Sequence, residues 1–191
     1  MKAIHTDQRS PKFARRAILA LSIGLAFALS GCGDASETVN ATGTTTAPPQ
    51  IEALFVDSAP DDAKSVVETR QEAKAGTTVT VVGRVAGAEE PFSAYYATLV
   101  LADDSVTTCE RRPDDSCPTP WDACCEGKDV IASARVSVQI VGEDGRPIKQ
   151  PLKGVHGLAE LDTVIVTGTV AENSTTENVI INATAIYRQD S

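Results

Sequence analysis

This 191-residue chain is short of histidine, aromatics and cations, and each shortage removes a class of function. It has 2 His, 1 Trp, 3 Tyr and 4 Phe, and its 17 Lys and Arg stand against 26 Asp and Glu, for a net charge of −9. With so little imidazole, and with no G-x-S-x-G, no phosphate-binding glycine loop and no H-E-x-x-H, the serine-hydrolase, nucleotide-loop and zinc-protease arrangements find no residues to build on. The chain reads as a non-enzyme. Nucleic-acid binding depends on Lys and Arg neutralising phosphates, and the basic residues form no cluster beyond Arg111-Arg112, so that partner is set aside. The acidic doublets Glu89-Glu90, Asp103-Asp104 and Asp114-Asp115 fall in expected loops. None matches an EF-hand loop, and solvated loop charge is the plainer reading.

Long apolar runs are also missing. The N-terminal run Ala17–Leu29 is thirteen residues long, below the roughly 20 needed to span a bilayer. Preceded by Arg15-Arg16 and followed by small residues, it has the form of a secretory signal peptide. Leu29-Ser30-Gly31-Cys32 then resembles the lipobox of bacterial lipoproteins. That resemblance implies cleavage before Cys32, acylation of its thiol, and a lipid-anchored protein of the cell envelope facing the periplasm. Gly33 after the cysteine tilts the expectation towards the outer membrane. Five of the 17 basic residues and one of the 26 acidic ones lie in residues 1–31, so the processed chain keeps 12 against 25, a net charge of −13. Residues 32–50 hold one Val and no aromatic, too little apolar surface to offset the entropy of ordering. They are expected to be a disordered tether, with the folded domain occupying residues 51–191.

What is present in that domain is alternation. A helix is expected from Pro60, with Asp61 and Asp62 in its first turn, a narrow stripe of Ala63, Val66, Val67 and Ala73, and a stop at Gly76. Five stretches then alternate with period two: 77–85, 93–101, 132–141, 163–171 and 178–187. Their inward sets are Val79, Val81 and Val85; Tyr95, Ala97, Leu99 and Leu101; Ala134, Val136, Val138 and Ile140; Val164, Val166 and Val170; and Val179, Ile181, Ala183, Ala185 and Tyr187. This is the pattern of a half-buried antiparallel sheet. A bend or bulge is expected at Gly83, and one or two helical turns between the third and fourth strands at 154–161.

Three strands, a short helix and two strands is the order of an OB-fold, a small five-stranded Greek-key barrel. "VTVVGRV" and "LDTVIVTGTVAENSTTENVIINATAIY" resemble the first strand and the closing strand pair of bacterial OB-fold domains. The fold class expected is therefore mainly β. The resemblance implies binding across the second and third strands and through the loops 86–96 and 172–178. Phe92, Tyr95, Tyr96 and Trp121 are the candidate binding face, and the partner class is a protein, peptide or glycan.

Four of the five cysteines, Cys109, Cys117, Cys124 and Cys125, lie in the insert 109–125 with spacing C-x7-C-x6-C-C. The spacing contains neither a zinc knuckle nor a thioredoxin-like C-x-x-C. In an exported protein two structural disulfides are the first expectation, bracing a segment with too few apolar residues to order itself, and no cofactor is then needed. The alternative is a zinc or copper site drawing on the same four sulfurs and His156. A redox pair is the third reading.

Overall fold

The computed structural model describes residues 47–114 and 116–189. The signal sequence, Cys32 and most of the expected tether lie outside those residues. The elements are α1 (Pro49–Glu52), β1 (Lys64–Ser65), α2 (Val66–Glu72), β2 (Thr78–Val85), β3 (Thr98–Ala102), α3 (Lys128–Ser133), β4 (Arg135–Gln139), β5 (Thr163–Val170) and β6 (Ile180–Arg188). Single 3-10 turns occur at Cys109–Arg111 and Val155–Gly157.

Strands β2 to β6 close on themselves in the order β2-β3-β4-β6-β5-β2. Every contact is antiparallel except β4 with β6. The chain is mainly β, with a closed five-stranded barrel of OB-like topology. Β1 is an addition, pairing in parallel with β2 through Lys64 and Ser65. The 3-10 turn at Val155–Gly157 fills the place of the helix expected between the third and fourth barrel strands.

Alternation determines which residues fill the barrel. Val81 and Val85, Leu99 and Leu101, Val136 and Val138, Val164 and Val166, and Ile181 and Ile186 form one buried cluster, closed by Leu152, Val155 and Leu158. The parity breaks once, in β6. Thr167 pairs with Ala185 but Gly168 pairs with Ala183, so Thr184 is an extra residue. A bulge of this kind turns the following side chains over. Ile186, rather than Ala185 and Tyr187, is therefore the residue that enters the core. Gly168 faces this bulge, where a Cβ would lie 2.4 Å from the Asn182 carbonyl oxygen. Gly83 serves a close approach rather than a bulge: Val66 of α2, Leu101 and the Ala102 carbonyl crowd the space a Cβ would take.

Two local expectations are corrected. The helix starts at Ser65, not Pro60. The Ser65 hydroxyl accepts from the Glu68 N–H, and the Glu68 carboxylate accepts from the Ser65 N–H. This capping box satisfies two helix-end donors, whereas Asp62 sits at φ 56° in a turn. The second barrel strand is also shorter than expected: Ala94 to Ala97 form a bend, and pairing with β4 begins at Thr98. At the N-terminal side, Ala47 and Ile51 pack into the barrel cluster, and Val56 and Leu54 exchange backbone bonds with Ile186.

The insert between β3 and β4 is ordered without the disulfides expected for it. A second small core of Ala86, Ala102, Val106, Ala123 and Ala134 takes in Val67, Trp121 and Ile131 at its margin. Arg84 of β2 reaches into the insert, pairing with Glu110 at 2.8 Å and donating to the Thr108 hydroxyl. Apolar residues dispersed between 86 and 134 thus supply the core that the segment 109–125 lacks when read alone.

Candidate functional site

Two places draw chemistry-bearing side chains together, a cleft at one end of the barrel and the cysteine insert. The cleft has a volume of about 890 Å³ and is lined by Ser93, Tyr96, Thr98, Asp144, Arg146, Ile148 and Lys149, among others. One wall is the bend before β3. There the Ser93 hydroxyl accepts from the Tyr95 and Tyr96 N–H groups, a short Ser turn that projects both rings away from the barrel. The opposite wall is a hairpin after β4, where Val141 bridges Pro147 and Gly145 turns the chain at φ 72°. Ala97 joins the walls, donating to the Ile148 carbonyl and accepting from Ile140.

The candidate binding aromatics separate on this scaffold. Tyr95 is 76% exposed and Tyr96 41%. Phe92 is not part of an exposed face: at 8% exposure it belongs to the barrel core and bridges Leu99. The reason is parity, since Phe92 lies across from β3's inward side. Trp121 is half-buried and fastens the insert to the loop 86–97, its indole N–H donating to the Glu89 carbonyl at 2.9 Å. Lys153 lies 5.9 Å above its ring, within cation–π range. A second cleft of about 460 Å³ lies between Trp121, Phe92 and Lys153. The loop 172–178, the other expected binding loop, contributes to neither cleft. Arg70 of α2 holds its Thr176 and Glu177 carbonyls instead.

The hairpin residues Arg146 and Lys149 were not among the sequence candidates. The Asp-Gly pair at 144–145, between Val141 and Ile148, is a hairpin signal that points to this wall. Arg146 and Lys149 line the cleft together with Asp144, so its lining holds two cations and one carboxylate on an otherwise acidic chain.

Three of the four insert cysteines converge. The sulfurs of Cys109, Cys117 and Cys124 all lie within 4.8 Å of one another. Cys109 and Cys124 are 3.7 Å apart, and Cys125 Sγ is 3.8 Å from Cys124 Sγ. A disulfide requires about 2.05 Å, and none is formed among the described residues, contrary to the first expectation for this cluster. Backbone bonds create the convergence: Cys109 donates to the Asp122 carbonyl at 2.8 Å and Glu110 to that of Pro120 at 2.9 Å. Arg112 and Glu126 clasp the two segments from outside at 3.2 Å. Cys117 Sγ lies 3.2 Å from the Thr119 hydroxyl. Hydrogen bonding from that hydroxyl and the Thr119 backbone pulls the Cys117 thiol below its ordinary range. For Cys124 the bond with Cys109 acts downwards, but the bond with Cys125, burial and repulsion from Cys125 outweigh it and push the thiol up.

His156 is not brought into this group. It stacks on Phe55 with ring centroids 4.5 Å apart and pairs with Glu52. Asp103, half of an acidic doublet expected to be solvated, is buried against the start of α2. Its carboxylate accepts from the Val67 N–H at 2.9 Å and from the Ser105 N–H and hydroxyl at 3.0 and 2.7 Å.

Neither a protein-family model nor a curated protein sequence matches this chain, and the OB-like assignment rests on the strand order and pairing above. Among solved structures, that of the hypothetical protein YgiW from E. coli is similar at 14% identity and a TM-score of 0.34, covering 71% of this chain and 95% of YgiW.

Proposed function

We propose that this chain is a lipid-tethered, extracytoplasmic binding module whose barrel captures an extended acidic peptide or glycan segment in the cleft between Tyr96 and the 141–149 hairpin. The observation that carries this reading is the pair of adjacent tyrosines held outward on the bend before β3, of which Tyr96 lines the cleft. Of the four large apolar residues exposed among the described residues, Val56, Tyr95, Tyr96 and Val130, two sit side by side there. Rigid, amphipathic tyrosines give contact area at low entropic cost, and exposed aromatics that the fold does not need are characteristic of a binding surface. Arg146 and Lys149 supply the cations that select carboxylates. Thr98 and Ser93 add hydroxyls suited to a polar backbone. The location on β3 and the loop leading into it is where OB barrels bind, although the fold alone specifies no ligand.

The tether follows from the lipobox-like Leu29-Ser30-Gly31-Cys32. Lipid chains contribute about 0.8 kcal/mol per buried CH₂, and more than one chain makes an anchor stable. Cys32→Ala is expected to move the protein from the membrane fraction to the soluble one.

The ligand is tested by calorimetric titration of the full chain, extracted in mild detergent, with oligoglutamate and oligogalacturonate as probes. One of the two is expected to bind, and Tyr96→Ala combined with Arg146→Ala to weaken it at least tenfold with an unchanged melting temperature. Binding by neither probe, or binding indifferent to the double substitution, refutes the cleft as the site.

A further inference from the structure

The insert sulfurs are arranged for simultaneous coordination. A disulfide uses sulfurs in pairs, and its geometry draws two of them together while the others stay apart. Here the Sγ separations are 3.7 Å for Cys109–Cys124 and 3.8 Å for Cys124–Cys125, and Cys117 joins Cys109 and Cys124 inside a 4.8 Å circle. Sulfurs bound tetrahedrally to one zinc ion at about 2.3 Å stand about 3.8 Å from each other. The two separations match that value and are nearly twice a disulfide bond length.

We propose that Cys109, Cys117 and Cys124 form a preorganised thiolate site for a single d10 metal ion, zinc first, with the neighbouring Cys125 as its fourth ligand. This site is separate from the cleft, and its success or failure leaves the proposed ligand capture untouched. Binding moves protons and no electrons: the thiols release their protons to solvent as sulfur–metal bonds form. Four thiolates around a divalent ion leave a charge of −2. Of the adjacent basic pair Arg111-Arg112, Arg112 pairs with Glu126 and lines one cleft with Cys125, whereas Arg111 is engaged by Asp104 and Glu110. The buried Arg112 Nε has no hydrogen-bond partner among the described residues, which leaves a cationic donor in the clasp around the insert.

The site's supports are local. The Cys109–Asp122 and Glu110–Pro120 backbone bonds fix the first and third ligands across from one another. Cys109 is buried at one end and Cys124 exposed at the other, so the group opens to solvent at the side where Cys125 stands. A metal enters from that side, and three ligands are in place before the fourth closes. In an exported protein, sulfurs this near to each other oxidise unless metal holds them, so metal loading and disulfide formation are competing outcomes for the same atoms.

The full chain, extracted in mild detergent without reductant, is analysed for zinc per chain and alkylated with and without chelator. One zinc per chain, with cysteines that chelator alone exposes to alkylation, is expected. Titration of the zinc-stripped, reduced chain with Co(II) is expected to give a sulfur-to-cobalt charge-transfer band at one equivalent, which zinc displaces. Cys117→Ser is expected to abolish that band. Cys125→Ser is expected to keep a weakened one with reduced zinc affinity, because three thiolates still hold the ion. Protection that only a reductant removes, with a mass deficit of two or four hydrogens, overturns the proposal. So does a reduced chain that melts cooperatively yet gives no thiolate–cobalt band, a result independent of whether any variant folds.

Discussion

Asp103 shows how a single carboxylate is kept charged where little water reaches it. Burial opposes its ionisation, but the Val67 N–H, the Ser105 hydroxyl and N–H, and the Val66 N–H together hold its carboxyl below the usual range. It therefore joins β3 to the first turn of α2, at the helix end that favours negative charge. Because the folded-state pKa is depressed, the stabilisation is complete above the unfolded value of about 3.9 and is lost as pH falls through the folded one. Asp103→Asn is expected to lower stability at pH 7 by about 1–3 kcal/mol, the cost of impairing bonds to a buried charged acceptor. The same variant flattens the acid limb of the stability profile below about pH 4. Urea melts at pH 7 and at several acidic pH values read both effects; parallel acid limbs would place the carboxylate's role elsewhere. Nothing around Asp103 in sequence separates it from Asp104. Its partner Val67 lies 36 residues away, so this residue's burial is a tertiary fact.

At the scale of elements, alternation made the five barrel strands legible, because a closed sheet with one buried face imposes period two. Departures arose where another local device prevailed. The Ser65–Glu68 capping box stands in the sequence, yet Pro60, Asp61 and Asp62 offer a competing helix start, and the parallel pairing of Lys64 and Ser65 with β2 selects the later one. The bulge at Thr184 could not be read from β6 alone, since it exists only against β5. Gly168 marks it from the other strand. The contact of 2.4 Å that a Cβ there would make is with backbone, and a second of 2.7 Å is with Ile181. Gly168→Ala therefore has to displace the β5–β6 pair or flatten the bulge. A loss of about 1–3 kcal/mol is expected, the usual cost of forcing a methyl into a packed site. Thermal melts of Gly168→Ala against Gly145→Ala check it as an element effect. Gly145 has open space around its Cβ position and its strain is confined to a turn at φ 72°, so equal losses would mean that backbone conformation, not the bulge, decides.

At the scale of the whole molecule, the described residues form two cores of unequal size, and this bears on the cysteine site more than any single contact. The barrel cluster draws on every barrel strand, whereas the insert rests on five small buried residues with Trp121 at their edge. The convergence of its sulfurs was hidden in the sequence because a spacing of C-x7-C-x6-C-C says nothing about a backbone ladder between residues 109–110 and 120–122. A region with few buried apolar contacts opens before the rest. The insert amides of Cys109 and Glu110 are therefore expected to exchange hydrogen through an opening that leaves the barrel closed, at a lower free energy than the ladder amides of Val81 and Val166. A ligand that binds only the closed insert stabilises it in proportion to its affinity, so zinc raises protection at Cys109 and Glu110 and chelator removes it, while Val81 and Val166 stay unchanged. Native-state exchange followed residue by residue, with and without chelator, reads this directly. If the insert and barrel amides exchange with one common free energy in both conditions, the two cores are a single cooperative unit, and the metal has no separate element to brace.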